Sequence, residues 1–359
     1  MSRRTKVQGT GAVGKAAKAA FVVVALLVIA AVALGLGVIA LAERYDRPTG
    51  EVADEGLSFT VGQGESGSAV ARRLAQERVI RSELLFKLMM KARSLEHSLK
   101  AGTYRVESRM SGSEILGMIA EGRQVLLRLT IPEGATVRAV ALAAEAAGVA
   151  SADEVLAASG DAGLARSLGV AAETLDGYLY PDTYLLPRDA GGEALIELMV
   201  ETFKRRVAEA LPESASLSPQ ELHERLILAS IVEREYRVPG EAPLMASVFS
   251  NRLRIGMALQ SCATVVYVIT ERQGKPHPSR IFDRDLRIED PYNTYKRPGL
   301  PPSPICNPGL TAISAAIRPA VSGYLYFRLV DEATGEHYFS ATLDEHVRAA
   351  SLAVKPIGR

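Results

Sequence analysis

The stretch "SPQELHERLILASIVEREY", Ser218 to Tyr236, decides how the second half of this chain is read. Ser218 can cap a helix, Pro219 suits the first helical position, and Glu221 completes a capping box. The spacing predicts a helix to about Tyr236. With about 3.6 residues per turn, Leu222, Leu226, Ala229 or Ser230, and Glu233 fall on one stripe, so Glu233 extends an apolar face. Glu235 lies about 200° further round. Two acids so separated are poor partners for a paired-carboxylate mechanism, which needs them about 5 to 9.5 Å apart across a substrate. A lone carboxyl on an apolar stripe loses hydration, which raises its pKa and suits it to general acid work near neutral pH. An ion pair between Glu233 and Arg252 or Arg254 is an equally good account of the same spacing.

Outward from that helix, the whole chain has 359 residues, 48% of them hydrophobic, and a formal net charge of +1. That length suits two or three modest domains. The balanced charge gives no basic excess to neutralise phosphates, so nucleic acid is not an expected partner. Aromatic residues make up 6% and Trp is missing, so any carbohydrate site must use Tyr or polar contacts.

The N-terminal region carries a second strong signal. From Ala19 to Ala42 the sequence "AAFVVVALLVIAAVALGLGVIALA" has no charge, and about 20 apolar residues suffice to cross a hydrocarbon core about 30 Å thick. The charges before it, Arg3, Arg4, Lys6, Lys15 and Lys18, are all positive, which keeps that end cytoplasmic. Ala40-Leu41-Ala42 resembles a signal cleavage site, but the run far exceeds the roughly 7–15 residues of a signal core. Residues 1–18 are therefore expected as a cytoplasmic tail, 19–42 as a single membrane helix, and 43–56 as a polar linker.

Residues 57–123 read as a small β-α-α-β module. "LSFTV" (Leu57–Val61) and "AGTYRV" (Ala101–Val106) are strands around two amphipathic helices, and a third helix opens at Ser111 or Ser113. Within it "GQGESG" matches the G-x-G-x-x-G dinucleotide fingerprint through Gly62, Gly64 and Gly67. Two helices follow before the next strand, and no acid ends a strand about 20 residues on, so a turn at a helix start is the better reading. Residues 124–359 form a larger α+β part. It opens with a strand in "QVLLRLTIPEG", continues in Ala-rich helices, and passes through the extended "LDGYLYPDTYLLP" (Leu175–Pro187). The five histidines and two cysteines show no metal spacing,; no metal or cofactor is expected. Cys262 and Cys306 are a possible disulfide in an oxidising compartment.

Past the Glu233 helix the sequence turns dense in polar strings. Gln260 and Ser261 follow a Gly256 break, and Asn293, Thr294, Tyr295 and Asn307 sit in a Pro/Gly-rich segment, where rigid exposed loops carry binding groups; structural turns are an equally good account of these loops. "YLYFRLVDEATGEHYFSATLDEHVRA" reads as a hairpin turning at Ala333-Thr334-Gly335, then a helix. Together, "TIPEG" (Thr130–Gly134), "LDGYLYPDTY" (Leu175–Tyr184), "LASIVERE" (Leu228–Glu235), "SVFSNRLRIGMALQS" (Ser247–Ser261), "YNTY" through "PGLPPSPICNPG" (Tyr292–Gly309) and "YLYF" through "GEHYFS" (Tyr324–Ser340) resemble the endolytic murein transglycosylase, or YceG-like, family. The β-α-α-β module resembles that family's LysM-like subdomain. Many members read Ser-Asp-Pro-Thr where this chain has Ser261-Cys262-Ala263-Thr264, so no role of that aspartate carries over.

The resemblance implies a bacterial plasma-membrane enzyme with its catalytic domain outside the cytoplasm. Such an enzyme cuts MurNAc–GlcNAc bonds within nascent peptidoglycan strands, leaves 1,6-anhydro-MurNAc ends and limits strand length. The family's catalytic glutamate falls on Glu233, acting as acid and then as base, and Glu235 is expected to serve structure by holding the helix in place. Gln260, Asn293, Tyr295 and Asn307 are the candidate sugar contacts. Penicillin-binding synthases are the implied partners, alongside the glycan and the membrane. Two other readings stay open: a muramidase that adds water, recruiting Asp182 or Glu133 as second carboxylate, and a non-catalytic wall-binding scaffold.

Overall fold

A computed structural model describes residues 11–96, 98–349 and 351. Helix α1 spans Gly11–Asp46 and is continuous through the uncharged run. Its segment Val24–Asp46 has a mean hydropathy of 2.9, none of it buried against the protein, and is long and apolar enough to cross a membrane. Arg3, Arg4 and Lys6 of the expected cytoplasmic tail lie outside the described residues. So does His97.

The chain divides into two units, Met1–Val125 and Leu126–Arg359. In the first, β1 (Leu57–Val61), α2 (Gly67–Gln76), α3 (Glu83–Ala92), β2 (Gly102–Val106) and α4 (Gly112–Glu121) follow one another. The two strands pair antiparallel, Phe59 opposite Tyr104. Both rings are buried, with Val70, Leu74, Phe86, Ile115 and Ile119, in a core of their own. The glycine string is a turn: Gly64 takes a left-handed φ of 72°, and Ser66 caps α2 by accepting the Ala69 N–H. The third helix starts at Ser111, whose capping box closes on Glu114. Residues 47–56 differ from a free linker. Arg81 donates to the Arg47 and Pro48 carbonyls, and Arg78 pairs with Glu51 at 3.0 Å.

The second unit is mixed α+β. Strand β3 (Leu126–Thr130) pairs antiparallel with β4 (Thr183–Pro187), Leu129 facing Tyr184. Between them run α5 (Val137–Ala147), α6 (Ala152–Ser159) and α7 (Ala162–Ser167). Then come α8 (Gly192–Ala210), α9 (Pro219–Glu235), α10 (Ala242–Arg254), α11 (Cys262–Tyr267) and α12 (Leu310–Ile317). A hairpin of β5 (Tyr326–Leu329) and β6 (His337–Ser340) leads into α13 (Leu343–Ala349). Ser218 and Glu221 form the expected capping box, and the helix ends one residue before Tyr236. Every residue from Leu226 to Val232 is buried, because α9 is the central helix, packed by α12, α10 and α11. A helix apolar on all sides is a core helix.

Candidate active site

The last turn of α9 carries two acids to different places. Glu233 turns toward a brace of backbone. Its Oε2 accepts the Gly309 N–H at 3.0 Å, at the start of α12. Gly134 lies over its stem: a Cβ on Gly134 would stand 3.5 Å from Glu233 Cγ. The "IPEG" turn is fixed there because Gly134 N–H donates to the Asn307 carbonyl, and Asn307 N–H to that of Ala135, both at 2.9 Å. Gly134 takes a φ of 74°, which glycine adopts without a Cβ clash. Burial pushes the Glu233 carboxyl up to about 7; the Gly309 N–H opposes this and the Glu133 charge adds to it. Glu233 forms no ion pair among the described residues. Arg252 and Arg254 are engaged elsewhere, Arg252 on the Leu325 and Leu259 carbonyls and Arg254 on Asn251.

Glu235 instead faces a cleft of about 360 Å³, which it lines with Arg252, Gln260, Tyr295, Tyr326 and His346, among others. Its Oε1 accepts the Ser261 hydroxyl at 2.5 Å. Burial holds its pKa above the usual carboxylate range, against the Ser261 hydroxyl and the Ala263 N–H that favour the charged form. The loop before α11 is shaped for this contact. Gln260 has a left-handed φ of 51°, a conformation that costs a non-glycine residue about 1 kcal/mol or more and persists only where neighbours enforce it. Those neighbours are Thr294, whose carbonyl accepts the Gln260 N–H at 3.2 Å and whose hydroxyl accepts the Ser261 N–H at 3.0 Å. Arg252 ties the same loop to the hairpin, donating to Leu259 O and Leu325 O at 2.7 Å, with its guanidinium 5.3 Å from the Tyr326 ring centre.

The four expected sugar contacts separate into two pairs. Gln260 and Tyr295 line the Glu235 cleft. Asn293 and Asn307 are fully buried. Asn293 donates to the Leu286 and Ile288 carbonyls and accepts the Tyr295 N–H. Asn307 accepts the Gly177 and Leu179 N–H groups and donates to Ala135 O. Their amides are engaged with backbone inside the fold and hold the loops around the helix end. The possible disulfide is not formed. Cys262 is an exposed thiol with its Sγ 3.1 Å from the Tyr295 hydroxyl, while Cys306 is buried and donates to the Ser230 carbonyl. Cys306 sits beside the core of α9. Asp182 pairs with Arg206 at 2.8 Å, which keeps its carboxyl below its ordinary range. Glu133 is close to Glu233: its carboxylate packs against Gly309, whose N–H binds Glu233, and its charge acts on the Glu233 carboxyl. Sequence reasoning passed over Glu235, Arg252, Tyr326 and His346 as cleft residues. The only linear signal for Glu235 was its spacing from Leu228 and Ile231, which places it on an apolar stripe of its own.

The second unit is thus a mixed α+β class of fold built round a buried helix whose last turn carries two glutamates of raised pKa, and comparison with known proteins places it. Residues 59–351 match the model of the YceG-like family, and the chain belongs to that family. It is 31% identical over 309 residues to the endolytic murein transglycosylase of Bacillus subtilis (strain 168), covering 82% of this chain and 83% of that one. Against the enzyme of the same name from Streptococcus pneumoniae D39 it is 31% identical over 323 residues, covering 80% of this chain and 57% of that longer one. The crystal structure of a yceG-like protein from Listeria monocytogenes superposes with a TM-score of 0.54 at 32% identity, over 82% of this chain and 99% of that chain. The relatives so named are lytic transglycosylases.

Proposed function

We propose that this chain is a membrane-anchored endolytic murein transglycosylase, cutting MurNAc–GlcNAc bonds inside peptidoglycan strands to leave 1,6-anhydro-MurNAc ends. The observation that carries the mechanism is a buried carboxyl, Glu235, lining a cleft beside Gln260 and Tyr295. A lytic cut needs one such group. The protonated carboxyl donates to the departing glycosidic oxygen as the C1–O bond breaks. The carboxylate then accepts the proton of the substrate's own C6 hydroxyl as that oxygen bonds to C1, so no water is added. The raised pKa of Glu235 serves the first half. The Ser261 hydroxyl and Ala263 N–H stabilise the charge of the second half,. Gln260, Tyr295 and the Tyr326 ring supply hydrogen bonds and an apolar face for the sugar. This reading places the acid–base role two residues beyond the Glu233 that the resemblance implies, because two of the expected sugar contacts gather round Glu235; a second cavity of about 410 Å³, lined by Glu133, Gly134 and Arg234, adjoins Glu233 through Gly134. Strand-length limitation and partnership with penicillin-binding synthases follow from the family resemblance, as does a LysM-like role for residues 57–123.

A second reading rests on Glu233. Its pKa near 7 and the adjacent Glu133 carboxylate would suit a hydrolase that activates water. Mass spectrometry of digested strands separates the two. Anhydro ends that form about 10²-fold or more slowly in Glu235→Gln and persist in Glu233→Gln support the first; reducing ends that vanish in Glu233→Gln support the second. Strands that are bound and never cut would favour a scaffold.

A further inference from the structure

Helix α3 presents two large apolar side chains to solvent. Leu84 is 68% exposed and Leu88 54%. They sit one turn apart on a common face, opposite the buried Phe86 and Met90. Lys91 shares that outer face by the same spacing and Arg93 is exposed just beyond, while Lys87 is half-buried and paired with Glu83. Singly exposed leucines need no explanation, but this pair stands beside the end of the apolar helix. Helix α1 contacts α3, and its last residue is clamped to the same unit. Asp46 accepts the Ser113 N–H at 2.7 Å and the Ser113 hydroxyl at 2.6 Å. A Cβ on Gly112 would stand 3.1 Å from Asp46 Oδ1 and 3.5 Å from Met89 Cε, so the α3 side chain Met89 and the α1 terminus meet at one point. Arg81, just before α3, grips the Arg47 and Pro48 carbonyls. Tyr45, 46% exposed on the last turn of α1, is the residue type that favours a bilayer interface.

We infer that α3 lies in the headgroup region of the membrane that α1 crosses, with Leu84 and Leu88 dipping into the acyl boundary and Lys91 and Arg93 meeting lipid phosphates. This rests on the reading of α1 as a membrane anchor. The clamp at Asp46 and Arg81 fixes α3 at the level where the apolar run of α1 meets its first charges, Glu43 and Arg44. An amphipathic helix in that position buries its apolar side chains at the boundary while basic stems reach outward. The occupant of the face is thus the bilayer itself, continuous with the span.

The test uses the full chain in phospholipid vesicles. An environment-sensitive fluorophore is attached, in a Cys262→Ser background, at Leu84→Cys, Leu88→Cys, Arg72→Cys on exposed α2, and Leu34→Cys within the span. Spin-labelled lipids serve as quenchers. The expected result is a blue shift and lipid quenching at positions 84 and 88, weaker than at 34, with neither at 72. Quenching at 34 with positions 84 and 88 behaving like 72 overturns the proposal and leaves the anchor standing. Absence of quenching at 34 overturns both. Shielding at 84 and 88 that grows with protein concentration without lipid quenching assigns the face to a second copy, and also overturns it.

Discussion

At the residue scale, the molecule distinguishes two glutamates that the sequence sets two positions apart. Both continue apolar stripes of α9, Glu233 behind Leu226 and Ser230, Glu235 behind Leu228 and Ile231. Because the helix is buried on every side from Leu226 to Val232, periodicity could point to either. What separates them comes from distant sequence: Gly309 and the Gly134 turn close on Glu233, while Ser261 and Tyr295 open the cleft at Glu235. That information lies in long-range packing and had no local trace. Glu235→Gln should lower strand cleavage by about 10²-fold or more, the scale of a positioned proton donor, measured as initial rate on purified strands. Glu233 has a different expected signature. Its folded pKa of about 7 stands above the ordinary 4.5, so the folded state favours the protonated form. Its ionisation therefore costs stability as pH rises from about 4.5 to 7, and the contribution is fully present only at the acid end. Glu233→Gln should flatten that decline, so that melting temperature gains more at pH 8 than at pH 5.

At the element scale, the capped ends and strand pairs were legible. Ser218, Ser111 and the β1 and β2 strands fall where cap chemistry and alternation place them. The polar loops were legible as important but not as clamps. Asparagine in a Pro/Gly-rich segment suits a sugar as well as it suits orphan backbone groups, and only burial tells them apart. Asn307 holds three backbone groups from two segments, Gly177 and Leu179 in one and Ala135 in the other. Asn307→Ala should cost about 3 kcal/mol through buried groups left unpaired, seen as a lower denaturation midpoint. Gly177 is a sharper case. It has a φ of 84°, and a Cβ there would come within 2.5 Å of the Pro304 ring. Gly177→Ala should destabilise by more than about 1 kcal/mol and weaken the Asn307 clamp that Gly177 feeds.

At the scale of the whole molecule, composition and hydropathy pointed to a helix long and apolar enough to cross a membrane, followed by a small and a larger part. The uncharged run is visible because a bilayer demands length and apolarity of consecutive residues. The junction was not visible. A polar segment rich in Pro and Gly reads as a tether, yet Arg78, Arg81 and Ser113 bind it to the first unit. With α1 as anchor, the full chain should stay with membranes after alkaline carbonate extraction, and a chain lacking residues 1–46 should be released.

The most direct measurement is mass spectrometry of the ends left when purified peptidoglycan strands are digested by wild type, Glu235→Gln and Glu233→Gln, each shown to be folded. The expected result is 1,6-anhydro-MurNAc ends with wild type and Glu233→Gln, forming about 10²-fold or more slowly with Glu235→Gln. Anhydro ends forming at the wild-type rate in Glu235→Gln, or reducing ends from wild type, would contradict it.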